Sequence, residues 1–246
     1  MKNLFSLEGK VAIITGGSRG IGAMMARGFV ENGVRTYITA RKKEELDATA
    51  KDLSQYGECI AIPSDISTIE GIKAFTQEIM KKEDKIDILV NNAGIAPGKL
   101  APITELSAET IDQQLNVNTK GVAFGLKYQL RQMAAQKSGA ILNVSSMAGI
   151  GGAPLVATYS AAKHAVIGLT KTAAVEFGAL NIRVNAICPF FAQTPMVDNK
   201  VLNPNDSIAD VNKNLARGCP MKRIATLEEI VNVMVMMLSP ANTYMN

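Results

Sequence analysis

Six short, nearly unbroken apolar runs organise this sequence, at residues 11–15, 35–40, 59–63, 86–90, 140–144 and 183–187. An apolar run without polar alternation reads as a strand buried on both faces. Between the runs lie segments with helical periodicity. They run from the glycine-rich turn after residue 15 to residue 31, from 43 to about 56, from 68 to about 82, from 107 to about 136, from 158 to about 177, and from 226 to about 238. Such alternation builds a parallel sheet whose crossovers place helices on both faces. No repeat, low-complexity tract or linker interrupts the 246 residues, so 1–246 is read as a single doubly wound α/β domain. At 47% apolar residues the chain has enough material for its core. Residues 189–220 follow no regular pattern and are expected to be irregular.

The turn after the first run is Thr15-Gly16-Gly17-Ser18-Arg19-Gly20-Ile21-Gly22, a TGxxxGxG pattern between a strand and a helix. A pyrophosphate needs backbone N–H groups and a helix N-terminus close at hand, and side chains at these glycines would block its approach. The pattern predicts a Rossmann-type, dinucleotide-binding sheet. Cofactor choice is read at the end of the second run. A carboxylate there bonds the ribose 2′-hydroxyl of NAD. Here the run ends Thr39-Ala40-Arg41 and carries no acid. Arg41 and Arg19 suit a 2′-phosphate, because guanidinium pairs well with phosphate. NADP(H) is therefore expected in preference to NAD(H). The bland alternative is that Arg41 merely opens the surface run Lys42-Lys43-Glu44-Glu45.

Several functional classes are disfavoured. The sole histidine, His164, leaves little room for a metal site or a Ser-His-Asp triad. Cys59, Cys188 and Cys219 are dispersed and odd in number, unlike a disulfide framework or zinc knuckle. A net charge of +4 without a basic cluster does not suggest nucleic acid. No signal-peptide pattern opens the chain, and no apolar stretch reaches the ~18 residues of a membrane span. A cytoplasmic location, with no membrane partner, is the expectation.

Further on stand Asn91-Asn92-Ala93-Gly94, Asn118, Ser146 and Tyr159-Ser160-Ala161-Ala162-Lys163. Together with TGxxxGxG, this ordered set resembles the short-chain dehydrogenase/reductase family across essentially the whole chain. The resemblance implies that Gly16, Ser18, Arg19 and Ile21 line the phosphates. It places Asp65 and Ile66 beside the adenine, and Asn92, Ala93 and Gly94 along the ribose. Pro189 and Thr194 would close over the nicotinamide. Asn118, Ser146, Tyr159 and Lys163 would form the catalytic set, with Ser146 preferred to Ser145 by its spacing of 13 to the tyrosine. Relatives commonly form dimers or tetramers, so a homo-oligomer is implied.

Three departures stand out. Pro189 is followed by Phe190 where the family has glycine. The segment from Arg223 to Glu229 has Ala225 and Leu227 in place of the family's glycine and proline. Relatives also continue into a further strand, whereas this sequence stops at Tyr244-Met245-Asn246, so the final C-terminal strand is expected to be absent.

The residue chemistry fits carbonyl reduction. A free phenol, with a pKa of about 10, is a poor acid at neutral pH. Tyr159 and Lys163 lie four apart on one helix face, so the ammonium, together with the oxidised nicotinamide, is expected to lower the phenol. Ser146 would hold the substrate oxygen, and Asn118 a water near Lys163. His164 and the Met-rich stretch at 233–237 are read as packing. Substrate contacts are expected from residues 96–100, 147–154 and 189–220, with Phe190, Phe191, Met196 and Val197 forming an apolar lid. The overall pattern resembles 3-oxoacyl-thioester reductases, which implies a small carbonyl or alcohol substrate linked to an acyl carrier protein or CoA. A dehydrogenase of a sugar, cyclic or steroid alcohol is the alternative, and a silent nucleotide-binding sensor or scaffold is the alternative of another class.

Overall fold

A computed structural model describes residues 5–97, 100–194, 196 and 207–246. Six strands, β1 (Val11–Thr15), β2 (Arg35–Thr39), β3 (Cys59–Ala61), β4 (Ile88–Asn91), β5 (Gly139–Val144) and β6 (Ile182–Ile187), form one sheet in the order β3-β2-β1-β4-β5-β6. Every neighbouring pair is parallel. The chain winds outward from β1 to β3, then returns to the other side of β1 with β4. That reversal opens a crevice at the C-terminal ends of β1 and β4, where ligands of such sheets bind.

The crossovers are α1 (Gly20–Glu31), α2 (Lys43–Leu53), α3 (Ile69–Met80), α4 (Ala108–Leu115), α5 (Gly121–Gln136) and α6 (Ala157–Phe177), followed by α7 (Ile208–Ala216) and α8 (Leu227–Leu238). Period-two alternation sends successive strand residues to opposite faces. On one face Ile14, Ile38, Val90 and Leu142 pack with Met25 and Phe29 of α1, Leu46 of α2 and Met234 of α8. On the other, Ile13, Tyr37, Leu89 and Ile141 pack with Phe75 of α3, Leu126 of α5 and Val166 of α6. Each of these large side chains, fully buried, contributes roughly 1.5–3 kcal/mol of transfer free energy.

At the N-terminal end of the sheet, charge is paired off. Asp87 accepts from Val11 N (3.0 Å), Lys10 Nζ (3.1 Å) and Lys85 Nζ (3.2 Å). Buried Glu83 accepts from Tyr37 Oη (2.6 Å) and Arg35 Nη1 (3.2 Å). Arg183 donates to the Met237 carbonyl at 2.6 Å and so caps the C-terminus of α8.

Two departures from the sequence reading matter. The helix expected over residues 107 to about 136 is interrupted at Asn116–Lys120 by a turn of π-helix, which separates α4 from α5. The stretch expected to be irregular contains α7, whose N-cap Ser207 accepts from Asp210 N. Val197 and the other residues from 197 to 206, together with Pro195, Gly98 and Lys99, lie outside the described residues.

Candidate functional site

The crevice is a groove of about 240 Å³. Gly16, Ser18, Arg19, Ile21, Arg41, Asp65, Ile66, Asn92, Ala93, Gly94 and Thr194 all line it, so the sequence-predicted cofactor set converges here apart from Tyr159, Lys163 and Pro189. Pro189 is not among the lining residues; its carbonyl accepts from Met147 N at 3.0 Å. The turn after β1 leaves no room for side chains at Gly16 and Gly22. Gly16 has φ +69, and a Cβ there would fall 2.7 Å from Ala93 Cα. A Cβ at Gly22 would fall 2.1 Å from the Gly16 carbonyl oxygen. Thr15 binds the two sides together, its Oγ1 accepting from Asn92 N and Ala93 N at 3.1 Å each. Sequence reasoning gave Thr15 no role of its own. Asn92 returns the contact, its Nδ2 donating to the carbonyls of Thr15 (3.1 Å) and Gly16 (3.0 Å).

This groove has unspent hydrogen-bonding capacity. Helices α3, α4, α7 and α8 each begin with a side-chain cap, whereas α1, like α2, α5 and α6, has none. Its first N–H groups, at the positive end of the helix dipole, are therefore free to meet an anion. Thr39 Oγ1 and Ser64 Oγ, both on lining residues, are buried without a hydrogen-bond partner. Charges of both signs share the wall: Arg19, Arg41 and Lys42 against Glu45 and Asp65. Burial alone would raise the Asp65 carboxyl, but hydrogen bonds from Ser67 and the charge of Arg41 hold it below its ordinary value.

Beyond the groove, β4, β5 and α6 bring a second set together. Of the adjacent serines, Ser145 donates to the Lys163 carbonyl at 2.9 Å, while Ser146 opens the short turn Met147–Gly149, its Oγ accepting from Ala148 N at 3.2 Å, and lies near enough to Tyr159 to favour the ionised phenol. Lys163 is 5% exposed, and its Nζ donates to the Val144 carbonyl at 2.8 Å. A side chain at Gly94 would begin 3.7 Å from that Nζ and 2.9 Å from Asn118 Oδ1, so Gly94, Asn118 and Lys163 meet at one point. A buried chain of Asn91, Asn143 and Thr170 fastens β4 to β5 and to α6 beneath them.

The electrostatics differ from expectation in an instructive way. Lys163 Nζ lies 5.7 Å from the centre of the Tyr159 ring. Burial raises the Tyr159 phenol, and only the Ser146 hydrogen bond opposes this. Burial also lowers the Lys163 ammonium to about 8, with the neighbouring Cys188 opposing. The ammonium is aimed at a strand-end carbonyl, and the phenol is not yet acidified by it.

Asn118 differs as well. Its carboxamide accepts from Ile95 N (2.8 Å) and donates to Ile95 O (3.0 Å) and to Gln114 Oε1 (2.7 Å), which ties its side chain to the loop after β4. The π-turn aims it there, and such turns recur at functional sites. Gln114, which also donates to the Ala96 carbonyl at 2.7 Å, was not singled out in the sequence; its four-residue spacing to Asn118 was the available signal.

Met147, Ile150, Leu155, Phe190 and Phe191 are exposed apolar residues. The Phe190 and Phe191 rings meet edge to face, 4.6 Å apart. The tip of Phe190 comes 3.3 Å from where a side chain at Gly218 would begin, just after α7. His164 is exposed, with Nδ1 2.9 Å from the Ser160 carbonyl oxygen. In the Met-rich stretch Met234 and Met237 are buried, while Val233 and Met236 face outward.

A family model for short chain dehydrogenases matches residues 10–205. The chain belongs to that family. As a short-chain dehydrogenase it is an oxidoreductase. It is 35% identical to oxidoreductase UcpA of Salmonella typhimurium over 243 residues, covering 97% of this chain and 91% of the relative. It is also 35% identical to the 3-oxoacyl-[acyl-carrier-protein] reductase FabG of Thermotoga maritima over 239 residues, covering 97% and 94%. Among solved short-chain dehydrogenases and their kin, the Pseudomonas aeruginosa RhlG/NADP active-site complex superposes with a TM-score of 0.91 at 31% identity, covering 100% of this chain and 95% of the other. No helix among the described residues is long and apolar enough to cross a membrane.

Proposed function

We propose that this chain reduces a carbonyl to a secondary alcohol with NADP(H), and that the substrate is a 3-oxoacyl thioester on an acyl carrier protein or CoA. The observation that carries the reading is the placement of Ser146 and Tyr159 beside buried Lys163, whose Nζ lies 5.7 Å from the Tyr159 ring centre, next to a groove with an uncapped helix N-terminus. The groove's residues suit the dinucleotide: free N–H groups of α1 for the pyrophosphate, Arg19 and Arg41 for a 2′-phosphate, and the unpartnered Thr39 and Ser64 hydroxyls for the adenosine. The cofactor in the RhlG complex and the FabG activity support the same assignment.

When bound, the nicotinamide supplies the hydride. The protein's part is to hold the substrate oxygen and deliver a proton. Ser146 donates to that oxygen as negative charge grows on it. Tyr159 passes its hydroxyl proton to the same oxygen, and in the reverse direction takes it from the alcohol. Burial alone makes Tyr159 a reluctant acid. A cation brought beside the phenol favours its ionised form. The Lys163 ammonium fills that role once Nζ turns from the Val144 carbonyl toward the cleft. Asn118 holds the loop at Ile95 that forms the floor of the site.

A second reading, a dehydrogenase of a cyclic alcohol, is favoured by one feature, the exposed Phe190–Phe191 pair. The proposed protein is a cytoplasmic homo-oligomer whose chain forms one functional unit; its three free cysteines suit a reducing compartment. The test is NADPH consumption with acetoacetyl-CoA, beside secondary alcohols at alkaline pH. Loss of thioester turnover in Tyr159→Phe, with NADPH binding retained, supports the proposal. Turnover of alcohols alone selects the second reading, and tight NADPH binding with no reaction across a broad carbonyl panel would sink both.

A further inference from the structure

We infer that Glu45 is a selectivity residue of the groove, a carboxylate that opposes the adenosine 2′-phosphate and thereby sets how strongly NADPH is preferred to NADH. The inference rests on the proposed reading of the groove as a dinucleotide site.

Glu45 belongs to the first turn of α2, where the helix dipole favours a negative charge. Its Oε1 accepts from Ser18 Oγ at 3.0 Å, and Arg19 Nε lies 3.9 Å from the same oxygen. Thr49 Oγ1, one turn on, lies 2.8 Å from the Ser18 carbonyl oxygen and 2.9 Å from the Glu45 carbonyl oxygen, its one proton shared between them, which ties the phosphate turn to α2. The carboxylate is therefore held against the arginine that a 2′-phosphate would use. Arg41, the other candidate, shares the groove wall with Asp65 and is close enough for its charge to help lower that carboxyl, without forming an ion pair with it. Neither guanidinium waits unopposed.

The consequence differs for the two dinucleotides. A 2′-phosphate must compete with Glu45 for Arg19, and its two negative charges are repelled by the carboxylate. A free 2′-hydroxyl is a donor, and a carboxylate at that place accepts from it. The groove thus carries both recognition codes, arginines for the phosphate and an acid for the hydroxyl. The acid comes from α2 rather than from the end of β2, where it is usually sought. Glu45 side-chain exposure is 34% and that of Arg19 is 62%, so water screens the opposition without cancelling it.

Calorimetric titration of NADPH and NADH into the full-length protein and its Glu45→Gln variant tests this. Glutamine keeps an acceptor for Ser18, and a thermal melt confirms that the fold is retained. NADPH should bind about fivefold more tightly to Glu45→Gln, while NADH binds no more tightly than to the wild type. The NADPH gain should shrink as ionic strength rises, a response that a purely structural role would not give. Glu44→Gln, one residue away and not a lining residue, should change neither affinity. Weaker NADPH binding to Glu45→Gln, or equal shifts for both dinucleotides, overturns the inference and makes Glu45 a support for Ser18 and Arg19. If the wild type takes up neither dinucleotide, the proposed function falls, and this inference falls with it. NADPH binding by the wild type with an unchanged ratio in Glu45→Gln removes the inference alone.

Discussion

The two ends of the sheet are built from similar residues and treat them in opposite ways. At the N-terminal end every prominent charge has its partner: Asp87 with Lys10, Lys85 and Val11 N, and Glu83 with Arg35 and Tyr37. At the C-terminal end the Thr39 and Ser64 hydroxyls are buried without partners, α1 is uncapped, Lys163 is held near 8 and the Tyr159 phenol is raised. One end is electrostatically complete and serves stability. The other keeps its polar groups in reserve, a cost that a bound ligand relieves.

Mutations can break or sharpen that contrast. The largest effect belongs to the reserved end. Tyr159→Phe should lower kcat/KM at least about a thousandfold, roughly 4 kcal/mol, with an unchanged urea midpoint. Near-normal turnover would mean that the proton moves elsewhere. Next comes the completed end. Asp87→Ala strands Val11 N and two lysines and should cost about 2–3 kcal/mol in urea unfolding, with activity per folded molecule intact. Burial alone would raise the Asp87 carboxyl, but the bonds from Val11 and Lys10 hold it low. Its stabilisation is therefore complete above the unfolded pKa of about 4 and is lost as pH falls through the lower folded value, so the variant's acid limb should be shallower.

A smaller effect, of mixed sign, is expected at Lys163. With a folded value of about 8 against 10.5, the native state binds fewer protons between those limits. Wild-type stability should therefore climb from pH 8 to 10.5, and that rise should vanish in Lys163→Met. At pH 7 the variant escapes the ammonium's burial penalty but bares the Val144 carbonyl, leaving it about 1–2 kcal/mol more stable and inactive. A less stable, pH-insensitive variant would show the ammonium to be well solvated after all. The smallest shift belongs to Phe190→Gly. Removing the aromatic wall should change the ratio of kcat/KM for a cyclic ketone and a linear thioester about fivefold in favour of the thioester. An unchanged ratio would put Phe190 outside the substrate's reach.

The sheet was readable in the sequence because its strands are buried on both faces and so stand out as apolar runs. Their positions hold to within a few residues; β3 ends early at Ala61 because proline follows soon after, at position 63. Helix α7 was missed, although Ser207 and Asp210 carry the spacing of a helix cap. Tyr159 and Lys163 could be paired by periodicity, but the aim of Nζ at Val144 could not, since it depends on which carbonyl a strand end presents. Glu45 looked like one charge in a solvated run. Its closeness to Ser18 arises only when α2 packs beside the turn after β1, a contact between elements that no local pattern encodes.

The π-turn at 116–120 gives the helix one residue more than an α-helical ladder can use. Deleting one residue there would restore regular bonding and would turn the upstream segment by about 100° relative to the rest. The backbone would be the better helix for it, yet Gln114 would swing away from the Ala96 carbonyl and the hold on Ile95 would slip. The irregularity works as a phase shifter, spending local regularity so that two faces of one rod, out of step by sequence, can grip the same loop.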